Sequence, residues 1–321
     1  MGTVKKFHLI VLSIGLLIIT FGTVTYAWIS LSTVNNIEGL SLSATSGEEL
    51  LISLDGINYS NNLSAEQLQT IFSDITLNEV TSTDGKTFSA GGLRSEDDVN
   101  HDKDYLQFDI WFQTTESTHD VYVVNNVSDS TSYDVSNSGT YVVSRGVSWR
   151  SDKDFTYDQL GTMIEKGQEK IYYASDAVRI SFVELIDEFN ESDLRSEEEL
   201  QSFIFDPSGD KKRGYGKDYG AYSYFVKKSG YYASIPTTSP DVVYDLTTYD
   251  PNNPYQALNE NSKALTLQEI DTLEDETNVY QGKLRVTLWV EGWDADAFDA
   301  IHGDRLKIQL QFKLLKNTEE L

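Results

Sequence analysis

Two groups of acidic residues in this sequence are the side chains best suited to bind a ligand. The first group is Asp97, Asp98, Asp102 and Asp104, and the second is Glu291, Asp294, Asp296 and Asp299. Each group places several carboxylates within one short stretch of chain, and calcium prefers hard oxygen ligands of this kind. The sequence therefore predicts calcium binding at either group. The alternative interpretation is a solvated loop, or the capping of a following helix by the carboxylates.

Other metal and catalytic patterns find little support in the sequence. The chain has four histidines and no cysteine, and it lacks the HExxH spacing of zinc hydrolases. Asp206–Asp210 starts like an EF-hand loop, but Lys217 takes the twelfth position, where a bidentate glutamate is required. His119 beside Asp120 is better interpreted as a loop than as part of a triad. We predict no enzyme and no cofactor other than calcium. A glycoside hydrolase with two facing carboxylates is a remote alternative.

Tyrosines are concentrated in one segment, 206–276, which also holds all five prolines of the chain. We interpret this segment as an insertion or subdomain on the main body. Tyrosine combines a large apolar ring with a polar tip, which suits contacts with proteins or stacking on sugars. We therefore predict a contact surface, and the alternative is that these rings pack the insertion onto the body. The predicted contact residues are Tyr215, Tyr219, Tyr222, Tyr224, Tyr231 and Tyr232.

The acidic groups and the tyrosines must be positioned mainly by strands, because apolar residues recur along the chain with a period of two. In 306–314 and 284–290, apolar and polar residues alternate, which is typical of a strand with one buried and one wet face. The same alternation occurs in 40–44, 50–54, 106–112, 121–123 and 178–182. The pattern predicts a mainly β fold, a two-sheet sandwich of jelly-roll or Greek-key type.

Helices are predicted as short insertions. Capping-box spacing begins at Ser64, Thr156 and Ser196, each followed by apolar residues at helical intervals. The connection between the last two strands predicts a short helical turn that places Phe298 and Ile301 on the end of the core.

The N-terminus has the pattern of an export segment. Lys5 and Lys6 precede an apolar run from Leu9 to Ile29, close to the length of about 20 residues that spans a bilayer. Thr25 and Ala27 stand at the −3 and −1 positions of a signal cleavage site before Trp28. The run therefore predicts either a cleaved signal peptide or a retained membrane anchor. With residues 1–30 so assigned, 31–321 form the extracellular domain on the outer face of the membrane.

Charge narrows the choice of partners. The formal net charge is −26, so the surface repels nucleic acid and anionic lipid. Cations, protein surfaces and neutral glycans remain as partners, with the membrane contacted through residues 9–29 unless the signal is cleaved. The absence of cysteine excludes disulfides, so a large core must provide the stability.

Several blocks resemble a known group of bacterial surface proteins. The end of the export segment, Gly22–Trp28, is similar to that of exported Gram-positive proteins grouped with camelysin and the TasA-like biofilm-fibre subunits. Blocks similar to surface proteins of the same bacteria follow at Leu50–Gly56, Tyr105–Phe112, Ala177–Phe182 and Leu288–Asp294. The resemblance implies a jelly-roll body whose fibre-forming members each donate an N-terminal strand to the next subunit. The peptidase activity of camelysin is not carried over, because the sequence has no zinc motif.

We therefore predict an exported cell-envelope protein with a structural or adhesive role. Residues 37–45 read as a strand that follows the export segment, and such a strand is able to pair with the edge of a neighbouring copy. The predicted assembly is a fibre or matrix that forms by strand donation. The alternative is a membrane-anchored module that binds glycans through the tyrosines and carboxylates of segment 206–276.

Overall fold

The structure is a computed structural model, and it describes residues 35–44, 50–63, 65–72, 76–93, 99–100, 103–116, 118, 120–125, 131–135, 138–272 and 277–317. The predicted export segment and its cleavage site at Ala27 and Trp28 lie outside these residues. No helix in the described part of the chain is long and apolar enough to span a bilayer. The structure is mainly β, with 43% strand and 10% helix, which confirms the predicted class.

The strands are numbered in chain order. The first half of the chain contains β1 (Asn35–Ala44), β2 (Leu51–Ser53), β3 (Thr76–Leu77), β4 (Glu79–Thr81), β5 (Ser89–Ala90), β6 (Leu106–Thr114), β7 (Asp120–Val123), β8 (Tyr141–Ser144), β9 (Val147–Arg150), β10 (Phe155–Thr156) and β11 (Met163–Ile164). The second half contains β12 (Glu169–Tyr172), β13 (Val178–Leu185), β14 (Ser202–Phe205), β15 (Val242–Val243), β16 (Tyr249–Asp250), β17 (Asn253–Ala257), β18 (Lys263–Thr266), β19 (Gln268–Thr272), β20 (Asn278–Glu291) and β21 (Arg305–Leu314).

Helical segments are few and short in the part of the chain that the structure describes. The two α-helices found there are α1 (Ala65–Phe72) and α2 (Ala221–Ser229). Single 3-10 turns cover Ala174–Ala177, Glu197–Glu199 and Asp299–Ile301. The last of these turns lies in the connection between β20 and β21, where Phe298 and Ile301 are buried as predicted.

The strands form two large sheets. In the six-stranded sheet the order is β18-β7-β21-β1-β3, and β8 also pairs with β21. The nine-stranded sheet is built around β20, which pairs antiparallel with β13 on one side and with β6 on the other. The strands β14 and β15 extend it beyond β13, and β2 extends it beyond β6, while β19, β4 and β5 pair around the ends of β20.

The two large sheets share one hydrophobic core. Phe312 of β21 contacts Phe112 of β6 with ring centroids 4.9 Å apart, and it contacts Phe182 of β13 at 6.2 Å. The core continues through the apolar side chains that alternate along β6, β13, β20 and β21. Apolar residues at every second position therefore meet across the space between the sheets, as the sequence pattern indicated.

The expectation that the other face of β20 is wet is wrong. Trp289 and Thr287 point away from the shared core, yet both are fully buried. A second apolar cluster covers this face, in which Phe88 stacks on Tyr105 at 4.5 Å and meets Trp289 edge-on at 5.1 Å. Segments from distant parts of the chain lie over the sheet, so alternation along one strand did not reveal them.

Two of the predicted helices are also different in the structure. Thr156 belongs to a hairpin, because the side chain of Asp158 accepts the backbone N–H groups of Leu160 and Thr162 and closes a turn between β10 and β11. The capping box at Ser196 is present, but only one 3-10 turn follows it. The residues beyond it form β14, where Phe203 stacks on Phe182 at 5.0 Å. Pairing with β13 therefore overrides the local helical pattern.

Segment 206–276 contributes strands to both large sheets. Its strand β18 pairs with β7 in the six-stranded sheet, and β19 pairs with β20 in the nine-stranded sheet. β15 adds a parallel pairing with β14. The tyrosine-rich segment is therefore connected to the main body by backbone hydrogen bonds.

Candidate functional site

The predicted donor strand, β1, lies between the last strand of the chain and β3. It runs parallel to β21 along almost its whole length, with a register shift between Ile37 and Gly39. On its other side, β3 pairs only with Asn35 and Asn36. An isolated bridge joins Ser43 to Asn62 at the opposite end. Within the described residues, β21 is thus the main backbone partner of this strand.

Three apolar side chains anchor β1 in the core. Ile37, Leu40 and Leu42 are only 7%, 7% and 2% exposed. Glu38 points outward and forms an exposed ion pair with Arg305 at 3.4 Å. Parallel neighbours cannot be joined by a tight turn, so the position of β1 is formed by residues distant in sequence. A strand of the same sequence from another chain would meet the same partners there.

The acidic group at 291–299 lies at the end of β20, and its carboxylates contact different partners. Glu291 is buried and accepts hydrogen bonds from the indole N–H of Trp289 and the backbone N–H of Trp293, both at 3.1 Å. Burial raises the pKa of Glu291 above its usual value. Asp294 accepts the backbone N–H of Asp296 at 2.9 Å. These contacts hold the chain as it turns away from β20.

Arg179 of β13 is the buried cation opposite Asp294. Its guanidinium contacts the carboxylate of Asp294, lies 2.8 Å from Oδ2 of Asp206, and donates to the carbonyl of Val178 at 2.7 Å. Burial alone would lower the pKa of Arg179, but the carboxylates of Asp294 and Asp206 raise it. Burial also raises the pKa of both aspartates, against the opposing effect of Arg179. The three groups form a buried ionic cluster.

Arg213 forms a second ionic contact in the same region. Its Nε lies 2.9 Å from both oxygens of Asp296, and its Nη2 lies 2.6 Å from Oδ1. The guanidinium also stacks on the ring of Tyr157, 3.8 Å from the centroid. A bidentate, stacked arginine is held strongly in place. Arg213 therefore ties segment 206–276 to the connection between β20 and β21.

Asp299 completes the group with a third set of partners. Its carboxylate contacts the ammonium of Lys228 and accepts the hydroxyl of Tyr224 at 2.8 Å. The four predicted calcium ligands are thus distributed over an indole, two arginines and a lysine. Within the described residues, no group of three histidines or acids is arranged to hold a metal ion. Calcium binding here stays a prediction, and it would have to compete with these contacts.

The first acidic group is described only at Asp104. Its carboxylate accepts the side-chain amide of Asn78 at 2.6 Å and the backbone N–H of Asn100 at 2.7 Å. Asp97, Asp98 and Asp102 lie outside the described residues, so calcium binding at this group also stays a prediction.

The six predicted contact tyrosines have different environments. Tyr231 and Tyr232 are 65% and 74% exposed, just after α2. Tyr219 and Tyr224 are buried, and the prediction that they lie at the surface is wrong, because their hydroxyls reach internal acceptors. Tyr215 and Tyr222 are half-buried. Exposure in this set is therefore greatest at the adjacent pair Tyr231 and Tyr232.

Asp176 lies near the same ionic cluster, and no cation of the described residues forms an ion pair with it. Burial, and then the negative charge of Asp296, raise the pKa of Asp176 to about 7, while Arg213 opposes the shift. An acid with this pKa changes its charge near neutral pH. The stability of this end of the protein is therefore expected to depend on pH.

Sequence reasoning did not foresee the roles of the two arginines. Arg179 and Glu184 are the two charged residues of the mainly apolar strand Val178–Leu185, and a charge within such a strand was the available signal. Its partners are far away in the sequence, so their identity required the fold. The remaining candidate catalytic pair, His119 with Asp120, is described only at Asp120, which forms an ion pair with Lys263 at 2.8 Å.

No family model, curated protein or solved structure matches this chain. The contacts and distances of the described residues are therefore the basis for a functional proposal.

Proposed function

We propose that the chain is an exported cell-envelope protein with a structural or adhesive role, and that its copies join by exchanging β1. The single observation that carries this proposal is the position of β1. It is the first described strand, and it pairs in parallel with β21, the last strand. An exchanged strand would keep the same hydrogen bonds and the same buried side chains.

The burial of apolar side chains makes the position beside β21 specific for β1. Burial of Ile37, Leu40 and Leu42 contributes on the order of 1.5–3 kcal/mol per side chain. The same contacts form whether the strand comes from the same chain or from a neighbour, so exchange costs little in contact energy. The balance is then set by the effective concentration of the tethered strand. High local concentration at a cell surface favours the exchanged form.

We also propose which type of β fold the two large sheets form. We assign the two large sheets to a jelly-roll or Greek-key sandwich, a fold that suits a rigid envelope subunit. Support comes from the shared core, in which Phe312 meets Phe112 and Phe182 from the opposite sheet.

Export itself is supported by the sequence. The apolar run from Leu9 to Ile29 ends a few residues before β1, so a retained anchor would hold the strand next to the membrane, whereas cleavage before Trp28 would leave it close to the new N-terminus. The net charge of −26 agrees with a soluble extracellular body whose overall field repels nucleic acid and anionic lipid. We propose no enzymatic activity.

The proposal is tested by light scattering of the full chain and of a variant that lacks residues 30–45. Strand exchange predicts concentration-dependent multimers for the full chain and their loss in the deletion variant. A full chain that stays monomeric at high concentration would contradict the proposal.

A second candidate function is glycan binding at the cell surface. It is favoured by the adjacent exposed rings of Tyr231 and Tyr232, since exposed aromatic pairs offer stacking surfaces to sugars. The double variant Tyr231→Ala/Tyr232→Ala should then lose binding to isolated cell-wall glycan while multimer formation is unchanged.

A further inference from the structure

A cleft of about 660 Å³ lies between the β10–β11 turn and the loop that precedes α2. Asp158 and Gly161 contribute to it from the turn, and Lys212, Lys217 and Tyr219 contribute from the loop. The volume lies within the range of about 300–1,000 Å³ that is usual for small-molecule sites. We call it the lysine cleft, because Lys211, Lys212 and Lys217 line it.

The charge of the lysine cleft differs from that of the chain as a whole. Lys211, Lys212 and Lys217 line it together with two carboxylates, Asp158 and Asp218, whereas the complete chain carries −26. In the described part of the protein, the ammonium group of neither Lys212 nor Lys217 contacts a carboxylate, although the backbone N–H of Lys212 donates to Asp210 at 2.9 Å. Lys228, Lys263 and Lys283 form ion pairs with carboxylates, whereas the ammonium groups of Lys212 and Lys217 are left for an external anion.

The carboxylate of Asp158 is already used by the protein. It accepts the backbone N–H groups of Leu160 and Thr162 at 2.9 and 3.0 Å. Hydrogen bonds from Thr162 and Leu160 lower the pKa of Asp158, so it stays charged while it holds the turn. It therefore shapes one wall of the cleft, and the lysines on the facing loop remain available.

Contacts with neighbouring residues hold the loop that carries the lysines in place. Arg213 follows Lys212 directly, and its guanidinium is held by Asp296 and by the ring of Tyr157. The hydroxyl of Tyr219 donates to the carbonyl of Lys212. Lys211 lies over the ring of Tyr244, 5.0 Å from its centroid. A backbone held in this way forms the cleft before a ligand arrives, which reduces the entropy cost of binding.

We propose that the lysine cleft binds an oxyanion, phosphate or carboxylate, carried on a sugar or polyol chain. Lys212 and Lys217 provide mobile charged donors, which suit an oxyanion without demanding bidentate geometry. The cleft is larger than a single ion requires, and the amide of Gln159 and the hydroxyl of Thr156 on its wall suit the hydroxyl groups of a carrier chain. This site is independent of strand exchange by β1.

The test is calorimetric titration of the full chain with four probes at low salt. The probes are inorganic phosphate, a glycerol phosphate oligomer, trigalacturonate and the neutral sugar maltotriose. We expect one or both charged oligomers to bind, with affinity that falls as salt is raised. The variant Lys212→Gln/Lys217→Gln should weaken this binding at least about tenfold, since two charge-assisted contacts are lost.

A matched control is the variant Lys227→Gln/Lys316→Gln, which removes the same charge from two exposed lysines outside the cleft. It should bind as the unchanged protein does, and thermal unfolding of all variants should be alike. Equal weakening in both double variants, or maltotriose binding as tightly as the charged oligomers, would overturn the oxyanion site. Absence of binding by every charged probe would overturn it as well. Inorganic phosphate binding as tightly as the oligomers would overturn the sugar or polyol carrier.

Discussion

Leu42 of β1 lies opposite Leu310 of β21, in a parallel pairing that places the beginning of the described chain beside its end. Both side chains are buried in the core that the two large sheets share. The six-stranded sheet is therefore complete only when β1 is in place.

Leu42→Ala should destabilise the protein by roughly 2–5 kcal/mol, because it leaves a cavity where β1 meets the core. The control Glu38→Ala removes an exposed side chain from the same strand and should change stability by less than about 0.5 kcal/mol. Denaturant unfolding measures both changes. Similar small losses at the two positions would show that β1 is not anchored by its apolar side chains.

Phe312 and Gln311 are adjacent in β21, so their side chains point to opposite faces of the sheet. Phe312→Ala should cost roughly 3–5 kcal/mol, because its ring joins the two sheets. Gln311 was expected on a wet face, but it is only 6% exposed, and among the described residues its Oε1 has no hydrogen-bond partner. Gln311→Leu should therefore be neutral or stabilising, within about 1 kcal/mol, because it removes an unpaired buried oxygen. A large loss of denaturant stability in Gln311→Leu would contradict this assignment.

Arg179→Met should destabilise the fold by roughly 3–5 kcal/mol, because Asp206 and Asp294 would lose the cation between them. The matched control is Arg150→Met, which breaks an exposed ion pair with Glu169 and should cost no more than about 1 kcal/mol. Thermal unfolding at neutral pH compares the two. Equal effects would mean that the buried cluster adds nothing beyond a surface ion pair.

The raised pKa of Asp176 predicts that the stability of the protein falls as pH rises toward neutrality. Its pKa is about 7 in the folded protein and near 3.8 in the unfolded chain, so the folded state binds the proton more tightly. The proton on Asp176 contributes about 4 kcal/mol at most to the free energy of unfolding. This contribution is fully present below about pH 4 and is lost between pH 4 and 7. Asp176→Asn should flatten this part of the pH profile and raise stability at pH 8. An unchanged slope between pH 4 and 7 would contradict the assignment.

Sequence patterns located the strands of the core well, because the apolar side chains that face the shared core recur with a period of two. The sequences of β20 and β21 show this alternation most clearly, and the buried Phe298 and Ile301 of their connection were also foreseen. Local patterns failed where distant segments decide the structure. Phe203 reads as helical but pairs with β13, and the second face of β20 is covered by residues such as Phe88.

The candidate site was less accessible to sequence reasoning. The acidic residues at 291–299 were singled out as calcium ligands, which stays a prediction, and in the structure their cationic partners come from β13, α2 and segment 206–220. Such pairings depend on the fold, since nothing in the spacing of Arg179 or Arg213 points to Asp294 or Asp296. The lysine cleft also forms only when two separate loops meet.

The most direct test of strand exchange is a complementation experiment on the variant that lacks residues 30–45. A synthetic peptide of residues 30–45 is added in trans, and the thermal transition is followed as a function of peptide concentration. The matched control peptide carries Leu40→Asp and Leu42→Asp, which cannot enter the core.

The account predicts that the unchanged peptide restores a cooperative transition whose midpoint rises with peptide concentration, while the control peptide has no effect. A variant that gains no transition at any concentration of the unchanged peptide, or that responds equally to both peptides, would contradict the proposal that β1 is an exchangeable strand.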